Sequence, residues 1–218
     1  MLVALNEGGV PMSEMEKRPY ETKAHANDGY VTKDDPLILF RGALDHAEAE
    51  VLLTETMVDT RVQVVDTVAL FQHYKELLSN LEELLDLLRK VMTAEYTGEP
   101  LEGIEPDGSG GTFRLFGFTL DELQEQSHNA GEVFGIPTMT RPDHDFGEVY
   151  CRLNLIRTEL RQVESAAVRL FREEAATSGY KDPVRQDILY VLNRLSSAAH
   201  VLMCRQLAAM KQTGLLED

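Results

Sequence analysis

Arg157, Arg161 and Glu164 stand four and three residues apart in the stretch Leu153-Asn-Leu-Ile-Arg-Thr-Glu-Leu-Arg-Gln-Val-Glu164. In a helix this spacing puts two guanidinium forks and one carboxylate on a single face. Each follows a residue of an apolar stripe (Ile156, Leu160, Val163), so the three lie at the edge of a buried seam. Asn193 and Arg194 hold a similar place in Leu192-Asn-Arg-Leu-Ser-Ser197, and Asp45 follows Leu44 in Phe40-Arg-Gly-Ala-Leu-Asp45. Each group taken alone has an ordinary use: a salt-bridged solvated face, an interhelical hydrogen bond, an acid favoured by the helix dipole. Taken together, seam edges on three helices carry guanidinium forks, an amide and carboxylates. That set suits the binding of a polyphosphate, because a planar fork meets phosphate oxygens in pairs and a carboxylate can fix a fork in place.

The elements that must position these groups read as helices. Leu44, Ala47, Val51 and Val58 mark a first helix from about Gly42 to Val58, preceded by an extended apolar segment, Leu37-Ile-Leu-Phe40, after Pro36. Phe71, Tyr74, Leu78, Leu81, Leu85, Leu88 and Met92 step in threes and fours and mark a second, ending before Gly98. Thr119-Leu-Asp-Glu122 is a capping box opening a short third helix. Val149 to Leu170 mark a fourth helix beginning near Phe146, and Ile188, Leu192, Leu195, Ala199 and Leu202 a fifth. Asp182-Pro183 reads as the fifth helix's N-cap and first residue. Residues 98–118 and 131–147, rich in Gly and Pro, read as irregular, and strand signals are nearly absent. The expected fold is an all-α antiparallel bundle of four long helices and a short one spanning residues 36–218, with residues 1–35 as a flexible arm.

Composition excludes several classes. A net charge of −16 repels nucleic-acid backbones, so an anionic ligand must be met by a local cluster of arginines. Apolar residues make up 43% of 218, without a run long enough to span a bilayer, and the first residues lack the basic region of a signal peptide. The expected location is the cytoplasm, with a bacterial microcompartment left open. Cys151 and Cys204 show no zinc or redox spacing and read as small buried residues of helices. His25, His46, His73 and His200 show no partner spacing.

The strings Leu153 to Glu164, Leu192 to Ser197 and Phe40 to Asp45 resemble the cobalamin adenosyltransferase superfamily. The Asn-Arg-Leu-Ser-Ser ending, Phe-Arg-x-x-Leu-Asp, Gly98-Glu-Pro-Leu101, Leu120-Asp-Glu-Leu123 and Ser127-His128 are similar to its ethanolamine-utilisation branch. The resemblance covers roughly residues 17–210. It implies a five-helix bundle assembled as a homotrimer, with ATP and corrinoid at subunit interfaces. It assigns Arg161 to the ATP phosphates and Asp45 to a salt bridge with Arg157 across an interface. Glu164 and Asn193 would shape the nucleotide and metal site, with Glu164 beside a divalent cation of the Mg2+ type. Arg194 would brace the phosphates, and Arg41 and Lys33 would also serve the nucleotide. A flavin or corrinoid reductase and an adenosylcobalamin-dependent lyase follow as partners.

The sequence also departs from that pattern. The Gly-rich arm of the propanediol branch is degenerate in Thr22-Lys-Ala-His-Ala-Asn-Asp-Gly29, and Ser197 stands where that branch has Asp. The His and clustered Cys of some ethanolamine-branch members are not found, so a metal site of that type is not expected. Phe134 and Phe146 are both candidates for the apolar residue that displaces cobalamin's lower ligand.

Two other readings stand beside the enzyme. A non-catalytic acidic helical adaptor of an enzyme assembly fits the charge, although it gives no reason for arginines at seam edges. A ferritin-like di-metal protein needs two Glu-x-x-His pairs, and only Glu125-Gln-Ser-His128 is found. His128, Asp143, His144 and Asp145 offer a minor metal site, against the simpler use of loop hydrogen bonds.

Overall fold

The computed structural model describes residues 17–24, 29–108, 111–137 and 141–216. Four apolar stripes fold as four long helices: α1 (Pro36–Val64), α2 (Val68–Thr97), α5 (Gly147–Thr177) and α6 (Gln186–Gln212). Cross-helix contacts fix their directions. Arg41 meets Glu95 and Arg89 meets Glu48, so α1 and α2 run antiparallel. Phe40 stacks on Phe171 and Arg61 meets Glu148, so α1 and α5 do too. Glu164–Asn193 orders α5 against α6, and His73–Gln206 orders α2 against α6. The ring α1–α2–α6–α5 encloses the core, which includes Phe40, Leu44, Leu81, Leu88, Leu153, Leu160 and Leu195.

Two short helices cover one face of this bundle, α3 (Leu120–His128) and α4 (Ala130–Phe134). The expected capping box opens α3: Glu122 N–H donates to Thr119 Oγ1 at 3.2 Å, and Thr119 N–H to Glu122 Oε2 at 2.7 Å. Two small hairpins complete the described fold, β1 (Glu21–Lys23) with β2 (Tyr30–Thr32) and β3 (Arg114–Leu115) with β4 (Phe118–Thr119).

Several boundaries differ from the sequence reading. Leu37 to Phe40 is helical rather than extended: Asp35 caps α1 by accepting Leu37 N–H at 2.9 Å, and Pro36 fills the first turn. The same Asp-Pro pattern at Asp182-Pro183 does not start a helix. There the helix opens at Gln186, after Arg185 in a left-handed conformation with φ 55. The stretch 131–147 holds the last residues of α4 and a 3-10 turn at His144–Phe146. The described part of the arm is the β1–β2 hairpin, whose Ala24 carbonyl accepts from Arg41 Nη1. His25 lies outside the described residues. Of the two cysteines, Cys204 is buried as expected, but Cys151 is exposed.

His73 also has a partner the spacing did not suggest. Its Nε2 lies 2.8 Å from Oε1 of the buried Gln206 across the α2–α6 seam. Burial lowers its pKa below the ordinary 6.5. The unfolded imidazole therefore binds a proton that the folded one refuses. The stabilising contribution is full above pH 6.5 and shrinks as pH falls below it. Comparing melting temperatures at about pH 7.5 and about pH 5.5 should show a smaller acid-induced drop in His73→Gln than in wild type. An identical drop would remove His73 from this pH dependence.

Candidate functional site in a groove between α3, α5 and α6

The seam stepping of α5 gives it two flanks. Arg152 meets Glu50 at 3.3 Å and Glu159 meets His46 at 3.7 Å on the α1 side. Arg157, Arg161 and Glu164 take the α6 side. There Arg157 and Arg161, one turn and about 6 Å apart along the axis, line a groove of about 540 Å³. Its other walls are Ser127 and His128 of α3, Ser196, Ser197 and His200 of α6, Tyr150 of α5, and the connection at Arg141-Pro142.

The two arginines are held differently. Arg157 is half-buried, and its Nε and Nη2 donate to Asn154 Oδ1 at 3.3 and 3.2 Å. These bonds are long, and they leave the rest of the fork available. The Arg161 side chain is exposed and has no hydrogen-bond or ion-pair partner among the described residues. An arginine at the wall of a groove with no internal partner is ready to take an anion.

Glu164, Asn193 and Arg194 form a relay beside the groove. Asn193 Nδ2 donates to Glu164 Oε1 at 2.7 Å, and Arg194 Nη1 donates to Asn193 Oδ1. Arg194 Nε donates to Asp121 Oδ1 at 3.0 Å, and its guanidinium lies over the Tyr190 ring at 5.0 Å. Arg194 thus ties α6 to α3.

Asp45, Arg41 and Lys33 are not brought to this groove within one chain. Asp45 is exposed on α1, with no ion pair among the described residues, and is not among the groove's lining residues. Arg41 is tied to Glu95 by a bidentate pair at 2.7 and 3.0 Å and lies over the Tyr96 ring at 5.5 Å. Lys33 is exposed in the turn between β2 and α1, its N–H donating to Tyr20 O at 2.9 Å. Phe40, the residue before Arg41, packs on Phe171. Phe171 lies about 15 Å beyond Arg161 along α5.

Groove residues that spacing alone did not reveal are His200, Ser127, Tyr150 and Arg141. They come from three elements and a connection, and no local pattern joins them. Ser127 Oγ lies 3.0 Å from His200 Nδ1. Burial, and next the charge of Arg157, lower the pKa of His200 below the ordinary histidine value. Of the two phenylalanines, Phe146 packs edge-on against Tyr150 at 5.0 Å and so backs the groove. Phe134 lines a different cavity with His73 and Arg205. The Asp143-His144-Asp145 cluster is fully exposed, and His144 pairs with both aspartates at 2.8 and 3.1 Å.

Fold and groove together define an antiparallel helical bundle with an arginine-walled groove on one interhelical seam. The chain belongs to the cobalamin adenosyltransferase family, whose model matches residues 21–206. Corrinoid adenosyltransferase EutT of Salmonella typhimurium is 28% identical over 193 residues, which are 88% of this chain and 61% of that protein. EutT of Escherichia coli K12 is 27% identical over 188 residues, covering 86% of this chain and 59% of its own length. This chain therefore spans about three fifths of the curated relatives it matches. A PduO-type ATP:corrinoid adenosyltransferase from Lactobacillus reuteri, solved with cobalamin and ATP, shares the fold with a TM-score of 0.53 at 22% identity. That match covers 88% of this chain and 91% of that one. No helix among the described residues is long and apolar enough to cross a membrane.

Proposed function

We propose that this protein transfers the 5′-deoxyadenosyl group of ATP to the cobalt of a reduced corrinoid, as in the ethanolamine-utilisation branch. The observation that carries the proposal is the convergence of Arg157 and Arg161 on one groove, where the Arg161 fork has no partner among the described residues. The reaction needs neither a general base nor a protein nucleophile, because cob(I)alamin itself attacks C5′ of ATP, forming a Co–C bond as the C–O bond to triphosphate breaks. The protein's part is to align the two substrates and to stabilise charge on the departing triphosphate. Arg161 takes that charge directly. Arg157, partly oriented by Asn154, supports it from one turn away.

A divalent cation of the Mg2+ type fits this site as a phosphate-bound ion. Mg2+ commonly keeps waters and uses one or two protein carboxylates. Glu164, half-buried and oriented by Asn193 at 2.7 Å, is the carboxylate on the arginine flank. Bound there, the ion would add charge stabilisation for the leaving group.

Asp45 would pair with Arg157 of another copy, which is the arrangement a homotrimer supplies. In the same assembly Lys33 and Arg41 of one chain would lie over the nucleotide of the next. Phe146, through Tyr150, would form the apolar wall that excludes the corrinoid's lower ligand and makes cobalt easier to reduce. A flavin or corrinoid reductase would deliver the electrons, and an adenosylcobalamin-dependent lyase would use the product. The setting would be the cytoplasm or a microcompartment within it.

The test is formation of adenosylcobalamin from ATP and chemically reduced cobalamin, followed by absorbance. ATP should also raise the melting temperature, which separates the enzyme from a non-catalytic adaptor. Asp45→Asn is expected to weaken the use of both ATP and corrinoid, by about tenfold in kcat/KM for each. Unchanged kinetics in that variant would remove the Asp45–Arg157 pair.

A further inference from the structure

We infer that His200 and Ser127 form a neutral hydrogen-bonding subsite that receives a carboxamide side chain at the edge of the corrin ring. This rests on the adenosyltransferase reading above and assigns the part of the groove that the arginines do not use.

The subsite is built from two helices. Ser127 is half-buried in the last turn of α3, and His200 follows Ser196 by one turn on α6. Their side chains meet at 3.0 Å, and both line the groove with Arg157 and Arg161. The Arg194–Asp121 bridge at 3.0 Å locks α6 against α3 and so fixes the spacing of the pair. The Ser127 backbone also hydrogen-bonds the ring, and Cys204 Sγ lies 3.7 Å from Nε2, where sulfur is a weak partner. Nδ1 is engaged by Ser127, and Nε2 has no partner stronger than that thiol among the described residues.

The charges around His200 decide what it can bind. Arg157 and Tyr150 face it from α5, His128 from α3, Arg141 from the connection and Cys204 from its own helix. Burial and the cationic Arg157 both favour the neutral ring. Burial pushes the Cys204 thiol up to about 12, so no thiolate is at hand to bind cobalt. His200, Ser127, Ser196 and Ser197 thus form an uncharged stretch of donors and acceptors beside three arginines, Arg141, Arg157 and Arg161. Phosphate oxygens are better matched by the guanidinium forks. A neutral carboxamide, with one acceptor and two donors, matches an imidazole–hydroxyl pair. Among the two substrates, the corrin periphery is the part rich in such amides, whereas ATP presents its anionic chain to the arginines.

The test uses the full chain with cob(I)alamin and with cob(I)inamide, which lacks the lower nucleotide but keeps most of the ring amides. His200→Leu should raise KM for both corrinoids by about tenfold, with KM for ATP and kcat within about twofold of wild type. His200→Gln, which restores a donor and an acceptor, should recover most of the loss. Ser127→Ala removes one hydroxyl from a half-buried position and should reproduce a smaller share of the effect, so the test survives if His200→Leu melts early. Unchanged corrinoid KM in folded His200→Leu and Ser127→Ala would overturn the inference. So would an effect confined to cobalamin, or an equal rise in KM for ATP. If wild-type protein adenosylates neither corrinoid, the adenosyltransferase reading fails and the inference fails with it.

Discussion

Arg161→Ala should retain under about 1% of wild-type turnover, while its melting temperature stays within about 2 °C of wild type. Both halves of this expectation come from the same geometry. The Arg161 guanidinium is exposed at the groove wall and has no hydrogen-bond partner among the described residues. Its loss therefore removes no packing or pairing, and substitutions of that kind usually cost less than about 0.5 kcal/mol. In the reaction, the C–O bond to triphosphate breaks with charge moving onto phosphate oxygens. Removing a preorganised donor from developing charge costs about 100- to 1,000-fold in kcat. Arg161→Lys keeps the charge but not the fork, so it should fall between Ala and wild type. Arg157→Ala should be milder in turnover, because that fork is already shared with Asn154 at 3.2 and 3.3 Å. Stopped-flow or absorbance assays with excess reduced cobalamin separate these ranks. Near-normal turnover in Arg161→Ala would mean that triphosphate leaves elsewhere.

How much of this was legible in the sequence depends on whether the signal is local. The seam-edge position of Arg157, Arg161 and Glu164 follows from spacing within one helix, and the structure does place the two arginines on one groove. The capping box at Thr119 and the stripes of the long helices are local in the same sense. Where two identical local signals exist, context decides. Asp35-Pro36 caps a helix because the apolar run behind it can pack into the bundle, with Phe40 fully buried. Asp182-Pro183 does not, because the chain must first place Arg185 across the end of α2. The His200–Ser127 pair was illegible for a different reason. Its members sit 73 positions apart on separate helices, and only the packing of α3 on α6 joins them. Asp45 marks the limit of a single chain: its spacing is readable, but it is exposed on α1 and does not line the groove that Arg157 lines.

Asp187→Ala should show the reverse of Arg161→Ala, with a large loss of stability and a groove that still works when folded. Asp187 lies in the first turn of α6 with its side chain 4% exposed. It accepts Leu101 N–H at 3.0 Å and both arms of Arg185 at 2.9 and 3.1 Å. Arg185 in turn donates to the carbonyls of Ala94 and Glu99, closing the end of α2 and the loop after it onto α6. Burial alone would raise the pKa of Asp187. Its hydrogen bond and charge pairing with Arg185 and the backbone N–H groups of Leu101 and Ile188 together outweigh that and hold it below 3.8. The group is therefore ionised in the folded state, and its contribution is present above pH 3.8 and lost as pH falls through the lowered value. Removing the carboxylate leaves a largely buried guanidinium without its counter-charge and an amide without an acceptor. It also leaves Arg185 in its left-handed conformation with less to hold it there. Breaking a buried pair from one side costs about 3–5 kcal/mol. Urea titration near neutral pH should show that drop in the midpoint with the slope preserved, and Asp187→Asn, which keeps one acceptor, should lose less. A drop below about 1 kcal/mol would mean that the α2–α6 junction is held by its apolar contacts alone. Because α6 also carries Asn193, Arg194 and His200, the variant's activity at low temperature reports directly on whether the junction positions the groove or only keeps the bundle closed.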